Sequence, residues 1–203
     1  MKNNSQSIEK SITSRIYGRG RGSVFSPNEF LDLGSRSSVD LALHRLNSRG
    51  TIRRLTRGLY FFPKTNKLVG ELLPSVEAIT KALVARDKVK IQPFGAYAAN
   101  LLGLSEQVPA KIVFLTDGTA KRITVGKMTI ELRPSSSRLM APAGRTSGMV
   151  ISALRYLGAD HVGAREIKHL RRVLSLEDRK RLIHDLGSAP AWMHPTLRQI
   201  AAD

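Results

Sequence analysis

The chain contains no cysteine, which excludes a disulfide framework, a thiolate nucleophile and cysteine-ligated zinc. Acidic residues are scarce: 16 Asp and Glu stand against 33 Lys and Arg in 203 residues, a formal net charge of +17. No run of eighteen apolar residues occurs, and the opening "MKNNSQSIEKS" lacks the charged-then-apolar layout of a secretory signal. No membrane partner is therefore expected, and the cytoplasm is the expected location. A hydrophobic content of 41% suffices for real cores in one ordinary domain or two small ones.

Catalytic constellations are missing as well. There is neither a G-x-x-x-x-G-K-[ST] loop nor a G-x-S-x-G elbow, the minimum parts of phosphate-loop and nucleophile-elbow chemistry. His161, His169, His184 and His194 are scattered, with no pair at the four-residue spacing of a helical zinc site. Glu166 and His169 form a lone i,i+3 pair, Asp117 sits in a "DG" turn, and Glu131 is read as lying on a strand edge. The expectation is a protein that is not an enzyme and holds no metal or cofactor.

The charge is unevenly spread. Residues 1–67 carry 13 Lys and Arg against 4 Asp and Glu, or +9, whereas residues 68–203 carry 20 against 12, or +8 over twice the length. A concentrated basic segment is the electrostatic footprint of a polyanionic partner, nucleic acid first.

Local signals give that front third a shape. Ile8, Ile12 and Ile16 place one apolar stripe on a first helix ending near "YGRGRGS". In "VFSPNEFLDLG", Ser26 and Glu29 have the capping-box spacing, Pro27 suits a first turn, and Phe25 with Phe30 occupy staple positions. A helix of barely two turns is expected there, ended by a left-handed Gly34. A longer helix follows in "SRSSVDLALHRLNSRG", with Ser37 and Asp40 as its capping pattern, Val39, Ala42, Leu43 and Leu46 as its buried stripe, and Gly50 as its end. Short helix, turn and longer helix make the layout of a helix-turn-helix, whose second helix enters the major groove. Its outward face reads Arg36, Ser37, Asp40, Leu41, His44, Arg45 and Ser48, with Ser35 just ahead.

Immediately behind comes "RGTIRRLTRGLYFFP", two short strands at 51–54 and 59–62 around Gly58. A hairpin in that position is the wing of a winged helix. Leu55, Leu59 and Phe61 anchor it, and Arg53, Arg54 and Arg57 are free to neutralise phosphates. Arg19 and Arg21 in "GRGRG" either add phosphate or minor-groove contacts or merely sit in a loop shaped by its glycines.

"PKTNK" at 63–67 reads as a polar link, which puts the domain boundary between residues 66 and 68. Beyond it a helix is expected over 74–87, a strand at "KVKIQ", a small-residue helix in "FGAYAANLLGL", and a meander of "AKIVFLT", "RITVG" and "MTIELRP" turned by "DG" at 117–118. The segment after Ser147 is mostly helical, and its basic "KHLRR" reads as a solvated face. The expected fold is α+β: a winged helix-turn-helix at 1–66 and a mixed domain at 68–203 with a small antiparallel sheet and a helical tail.

The stretch "IYGRGRGSVFSPNEFLDLGSRSSVDLALHRLNSRGTIRRLTRGLYFFPK" resembles the amino-terminal winged helix of AbiEi-type antitoxins of bacterial type IV toxin-antitoxin systems. "QPFGAYAANLLGLSEQVPAKIVFLTDG" and "APAWMHPTLRQIA" are similar to the carboxy-terminal domain of the same group. The resemblance implies an antitoxin that binds double-stranded DNA repeats in its own operon promoter and represses it. It also implies that the second domain counters a cognate nucleotidyltransferase toxin without a stable complex. By position, the DNA-reading segment is 35–49 and the wing 51–62, while no residue of the second domain acquires a role. The alternatives are a transcription regulator with a ligand-sensing second domain and a basic nucleic-acid-modifying enzyme.

Overall fold

The computed structural model describes residues 2–202, with side chains from Ser7 onward; Met1 and Asp203 lie outside the described residues. The chain is a mixed α and β protein that divides into two compact units.

In the first unit, α1 (Lys2–Arg19) buries Ile12 and Ile16 against Val39, Leu43 and Leu46, with Ile8 partly covered. After β1 (Val24–Phe25), the expected two-turn helix is a single 3-10 turn, Pro27–Phe30. Glu29 Oε1 accepts the Ser26 N–H at 2.7 Å, so half of the capping box forms. The other half does not, since Ser26 Oγ is buried with no partner among the described residues. The staple does close: the Phe25 and Phe30 rings meet edge-on at 5.6 Å. Gly34 is not in the left-handed region; a Cβ there would lie 2.8 Å from Ile8 Cδ1. The neighbour is the tip of a side chain from α1, so the close approach at Gly34 is a tertiary contact rather than a left-handed helix end.

Helix α2 (Arg36–Ser48) buries the expected stripe of Val39, Ala42, Leu43 and Leu46. Its cap is Ser35, whose Oγ accepts the Ser38 N–H, not Ser37; Asp40 pairs with Arg36 instead of capping. Gly50 ends the helix at φ 77. Strand β2 (Arg53–Thr56) starts two residues later than expected, because Thr51 and Ile52 N–H groups still donate to Leu46 O. It returns through the two-residue turn Arg57–Gly58, Gly58 at φ 72, into β3 (Leu59–Phe61). The antiparallel sheet has the order β1-β3-β2.

The link expected at 63–67 is a second hairpin, β4 (Lys64–Asn66) and β5 (Gly70–Leu72). Asn66 Oδ1 accepts the N–H groups of Leu68 and Val69 at 2.8 and 3.3 Å, which organises the turn. Helix α3 (Val76–Asp87), capped by Ser75, buries Ile79, Ala82 and Leu83 and packs on β1. The first unit consequently runs to Lys88, past the boundary expected at 66–68: a polar segment ended a composition pattern without ending the packing.

The second unit is built on a four-stranded sheet of β6 (Ile91–Phe94), β7 (Lys111–Thr116), β8 (Lys121–Val125) and β9 (Met128–Pro134), ordered β6-β7-β9-β8. The outer pairs are antiparallel, as expected, but the central β7–β9 pair is parallel, so the strands do not form a meander. The reason lies in the turns. Gly126–Lys127, with Gly126 at φ 60, makes the tight hairpin between β8 and β9. The "DG" segment instead ties back to β6: Asp117 Oδ1 accepts the Lys90 N–H at 2.8 Å and Thr116 Oγ1 donates to Lys90 O at 2.9 Å. Pro93 is tolerated because β6 is an edge strand. Glu131 lies on the central strand β9, correcting the edge placement, and is bound by Lys111 at 2.6 Å and Arg133 at 3.2 Å.

The helices of this unit are α4 (Ala96–Leu101), α5 (Ser137–Met140), α6 (Thr146–Leu157), α7 (Ala164–Val173), α8 (Leu176–His184) and α9 (His194–Ala201), of which α4 and α6 pack against β6. The small residues Ala98 and Ala99 of α4 let it pack closely on Val150, Ala153 and Leu154 of α6. Leu170, Leu182, Leu197 and Ile200 add the remaining helices to one core. A polar pin crosses it: buried Asp185 accepts from Arg145 at 2.8 Å and from the Ser147 hydroxyl.

Two outcomes test this architecture. Asp185→Ala strands Ser147 and Arg145 and should destabilise the second unit by about 2–4 kcal/mol, measured as a shifted urea midpoint at unchanged slope. Acid should also loosen it in a defined window. Hydrogen bonds from Lys111 and then Arg133 hold the Glu131 carboxyl down at about 2, below its ordinary 4.5. The stabilisation is therefore complete above about pH 4.5 and lost as pH falls toward 2. Glu131→Gln should flatten that part of a stability-versus-pH curve.

Candidate nucleic-acid interface

The first unit places its charge by a simple rule: nearly every carboxylate holds an arginine. Glu9 binds Arg49 and, at 3.8 Å, Arg45. Asp32 takes both terminal nitrogens of Arg15 at 2.6–2.7 Å, and this guanidinium keeps the Asp32 carboxyl below its ordinary value. Glu29 binds Arg19 at 2.5 Å, Glu71 binds Arg53 at 3.3 Å, and Asp87 binds Arg86 at 2.8 Å.

Three expected site residues are thereby drawn into the structure. Arg19 is held by Glu29 over the Phe30 ring, 5.4 Å from its centroid. Arg21 donates to Pro63 O at 2.9 Å and lies 4.7 Å over Phe62. Both belong to the fold of the "GRGRG" loop, so the flexible-arm reading gives way to the shaped-loop one. Arg53 donates to Gly50 O at 2.7 Å as well as to Glu71, so it braces the junction of α2 and the hairpin. That corrects the expectation that all three hairpin arginines are free.

Arg54 and Arg57 differ. Both are exposed and neither has a carboxylate partner among the described residues. Arg54 makes only a long 3.4 Å contact to Thr56 O, and its backbone N–H donates to Asn47 Oδ1, which ties the hairpin to the last turn of α2. Arg57 stands at the turn, its carbonyl accepting from Arg86 at 2.9 Å. Lys64 and Lys67 on the next hairpin are exposed too.

On α2 the expected outward face is outward: Ser35, Arg36, Ser37, Asp40, Leu41, His44 and Ser48 are all exposed, and Arg45 is half-buried. Leu41 shows 44% of its surface, an apolar contact point on this face. Arg36 is steered by Asn28 Oδ1 at 2.9 Å and Asp40 at 2.8 Å. Asn28, Asn47 and Glu71 are the positioning residues that the sequence reading missed. None carries a local signal, because each acts on a partner at least seven residues away.

The arrangement is a solvent-facing helix of mixed donors, acceptors and one apolar side chain, with two guanidinium groups lacking a carboxylate partner among the described residues on the hairpin that follows. Among the described residues no His, Cys, Asp and Glu group could hold a metal ion, and no helix is long and apolar enough to cross a membrane.

Comparison with known proteins then assigns the chain. The model of DUF6088, a family of unknown function, matches residues 8–182. The chain belongs to that family. No curated protein matches it.

If Arg19 and Arg21 serve the fold, Arg21→Ala should lower the first unit's stability by about 1–2 kcal/mol through the lost hydrogen bond and ring contact. Arg57→Ala should stay within about 0.5 kcal/mol. Thermal unfolding followed by circular dichroism distinguishes the two.

Proposed function

We propose that the first unit is a winged helix that binds double-stranded DNA, with α2 in the major groove and the β2–β3 hairpin along the phosphate backbone. The observation that carries the reading is the selective pairing of arginines: Arg49 and Arg53 are engaged by carboxylates, while Arg54 on β2 and Arg57 in the turn that follows are left without one among the described residues. An unpaired guanidinium matches a phosphate in charge and geometry.

On the helix, Ser37 and His44 would donate to base edges, Leu41 would meet a thymine methyl, and Arg36 would read guanine. Arg36 is already steered by Asn28, so little rotamer freedom remains to be lost on binding. Asp40 contributes an acceptor for a cytosine amino group and repels misplaced phosphates.

The wider role follows from the resemblance in sequence: repression of the chain's own toxin-antitoxin operon, with the second unit needed to counter a nucleotidyltransferase toxin. DNA binding stands on the geometry of α2 and the hairpin; the antitoxin duty stands on the resemblance alone. The two separate in a paired assay. An Arg54→Ala, Arg57→Ala double variant should lose repression of a promoter reporter and still rescue growth under toxin induction. A folded double variant that represses normally would remove the wing assignment.

Affinity should depend steeply on salt. About five phosphate contacts correspond to a log–log slope of roughly −4.5, and Arg57→Ala should weaken specific and random duplexes alike while reducing the slope by about 0.9. His44→Ala should cost about 1–3 kcal/mol on the preferred site and little on random DNA. Fluorescence anisotropy titrations at several salt concentrations measure both, and a salt-independent affinity would defeat the reading.

A further inference from the structure

A cavity of about 520 Å³ opens in the second unit between the Gly103–Leu104 turn and one face of α7. That is the size of a small-molecule site. Its helical wall is lined by Arg165, Lys168, His169 and Arg172, the i, i+3, i+4 and i+7 positions that form a single stripe. Three cations in one stripe repel one another along an isolated helix. One carboxylate, Glu166, shares the lining, and its Oε2 is already engaged by the Gly163 N–H at 2.9 Å. Arg165 and Lys168 are exposed, and neither forms an ion pair among the described residues.

The third cation is held in place. His169 Nε2 lies 2.8 Å from Leu102 O, so that nitrogen carries the proton and donates; Nδ1 is then the acceptor for Arg172, 3.3 Å away. Gly103 allows this chain of contacts. It sits at φ 68, and a Cβ there would come within 3.1 Å of His169 Nε2. A glycine turn at positive φ against the ring, an imidazole bonded on both nitrogens and a directed guanidinium are more than a solvated basic face requires.

We propose that this cavity binds a polyphosphate group of two or three linked phosphoryl units, free or carried by a nucleotide. Arg165 and Arg172 stand seven residues apart, about 10 Å along the helix axis, further than one phosphate bridges. Guanidinium groups at both ends and an ammonium between them suit a short chain of phosphoryl oxygens. No Phe, Tyr or Trp side chain lines the cavity and the His169 ring is held by Leu102 O and Arg172, so affinity resides in the phosphates rather than in base stacking. The cations line one wall of a hollow instead of a ridge, which favours a compact anion over a duplex backbone. This site lies within the second unit, shares no residue with α2 or the β2–β3 hairpin, and does not rest on the DNA-binding reading.

Isothermal titration calorimetry on the full chain tests it, with pyrophosphate, tripolyphosphate, ATP, orthophosphate and a random 20-base-pair duplex as probes. Tripolyphosphate should bind with one-to-one stoichiometry, at least tenfold more tightly than orthophosphate. Arg165→Ala and Arg172→Ala should each weaken it at least tenfold, while Arg57→Ala leaves it unchanged. Gly103→Ala should weaken it by displacing His169, with circular dichroism confirming the fold; the two arginine variants, altered at exposed positions, keep the test decisive if Gly103→Ala unfolds. ATP matching tripolyphosphate would identify the polyphosphate alone as the ligand, and tighter ATP binding would add the nucleoside; either supports the site. No saturable heat with pyrophosphate, tripolyphosphate or ATP, or equal binding by all variants, would overturn it. So would α7 variants that lose duplex affinity while polyphosphate fails to bind, since the stripe would then serve DNA.

Discussion

Sixteen carboxylates among thirty-three cationic side chains is the constraint on which the rest of this protein depends. Most acids of the first unit fix an arginine that the fold uses: Glu9 joins α1 to the end of α2, Asp32 and Glu29 join the 3-10 region to α1, and Glu71 joins β5 to the start of β2. Such exposed pairs are individually weak. Their larger effect is to sort the arginines into those committed to the fold and those left facing solvent.

The same economy appears in the second unit. Glu131 serves both Lys111 and Arg133, and Asp185 serves both Arg145 and Ser147. The surplus on α7 collects along a cavity instead of being matched. Carboxylates commit Arg15, Arg19, Arg49 and Arg53 to the fold, whereas Arg54 and Arg57 on the β2–β3 hairpin and Arg165 and Lys168 on one face of α7 have no carboxylate partner among the described residues.

Much of the first unit was legible from local signals. The stripe Val39, Ala42, Leu43, Leu46 is a 3.6-residue repeat, and Gly50 and Gly58 stand where backbone with positive φ is needed. Periodicity and turn chemistry act over four or five residues, so a sequence displays them. What it hid were choices between equivalent local candidates. Ser35, Ser37 and Ser38 all suit a helix cap, and Ser35 takes the role. "DG" at 117–118 is the stronger hairpin signal on paper, yet the hairpin forms at Gly126–Lys127, because Asp117 and Thr116 are held by Lys90 from another strand.

By itself, then, the sequence determined the helical stripes, the glycine turns and the concentration of positive charge ahead of residue 68, since each follows from residue type and short-range spacing. Tertiary structure alone decided that "PKTNK" folds into a hairpin, that α3 belongs with the first unit, that β7 and β9 lie parallel, and which arginines stay unpaired. These depend on partners distant in the chain, such as Arg53 with Glu71 or Leu102 with His169. A guanidinium or an imidazole is indifferent to sequence separation; its partner is whichever acceptor the packed core brings within about 3 Å.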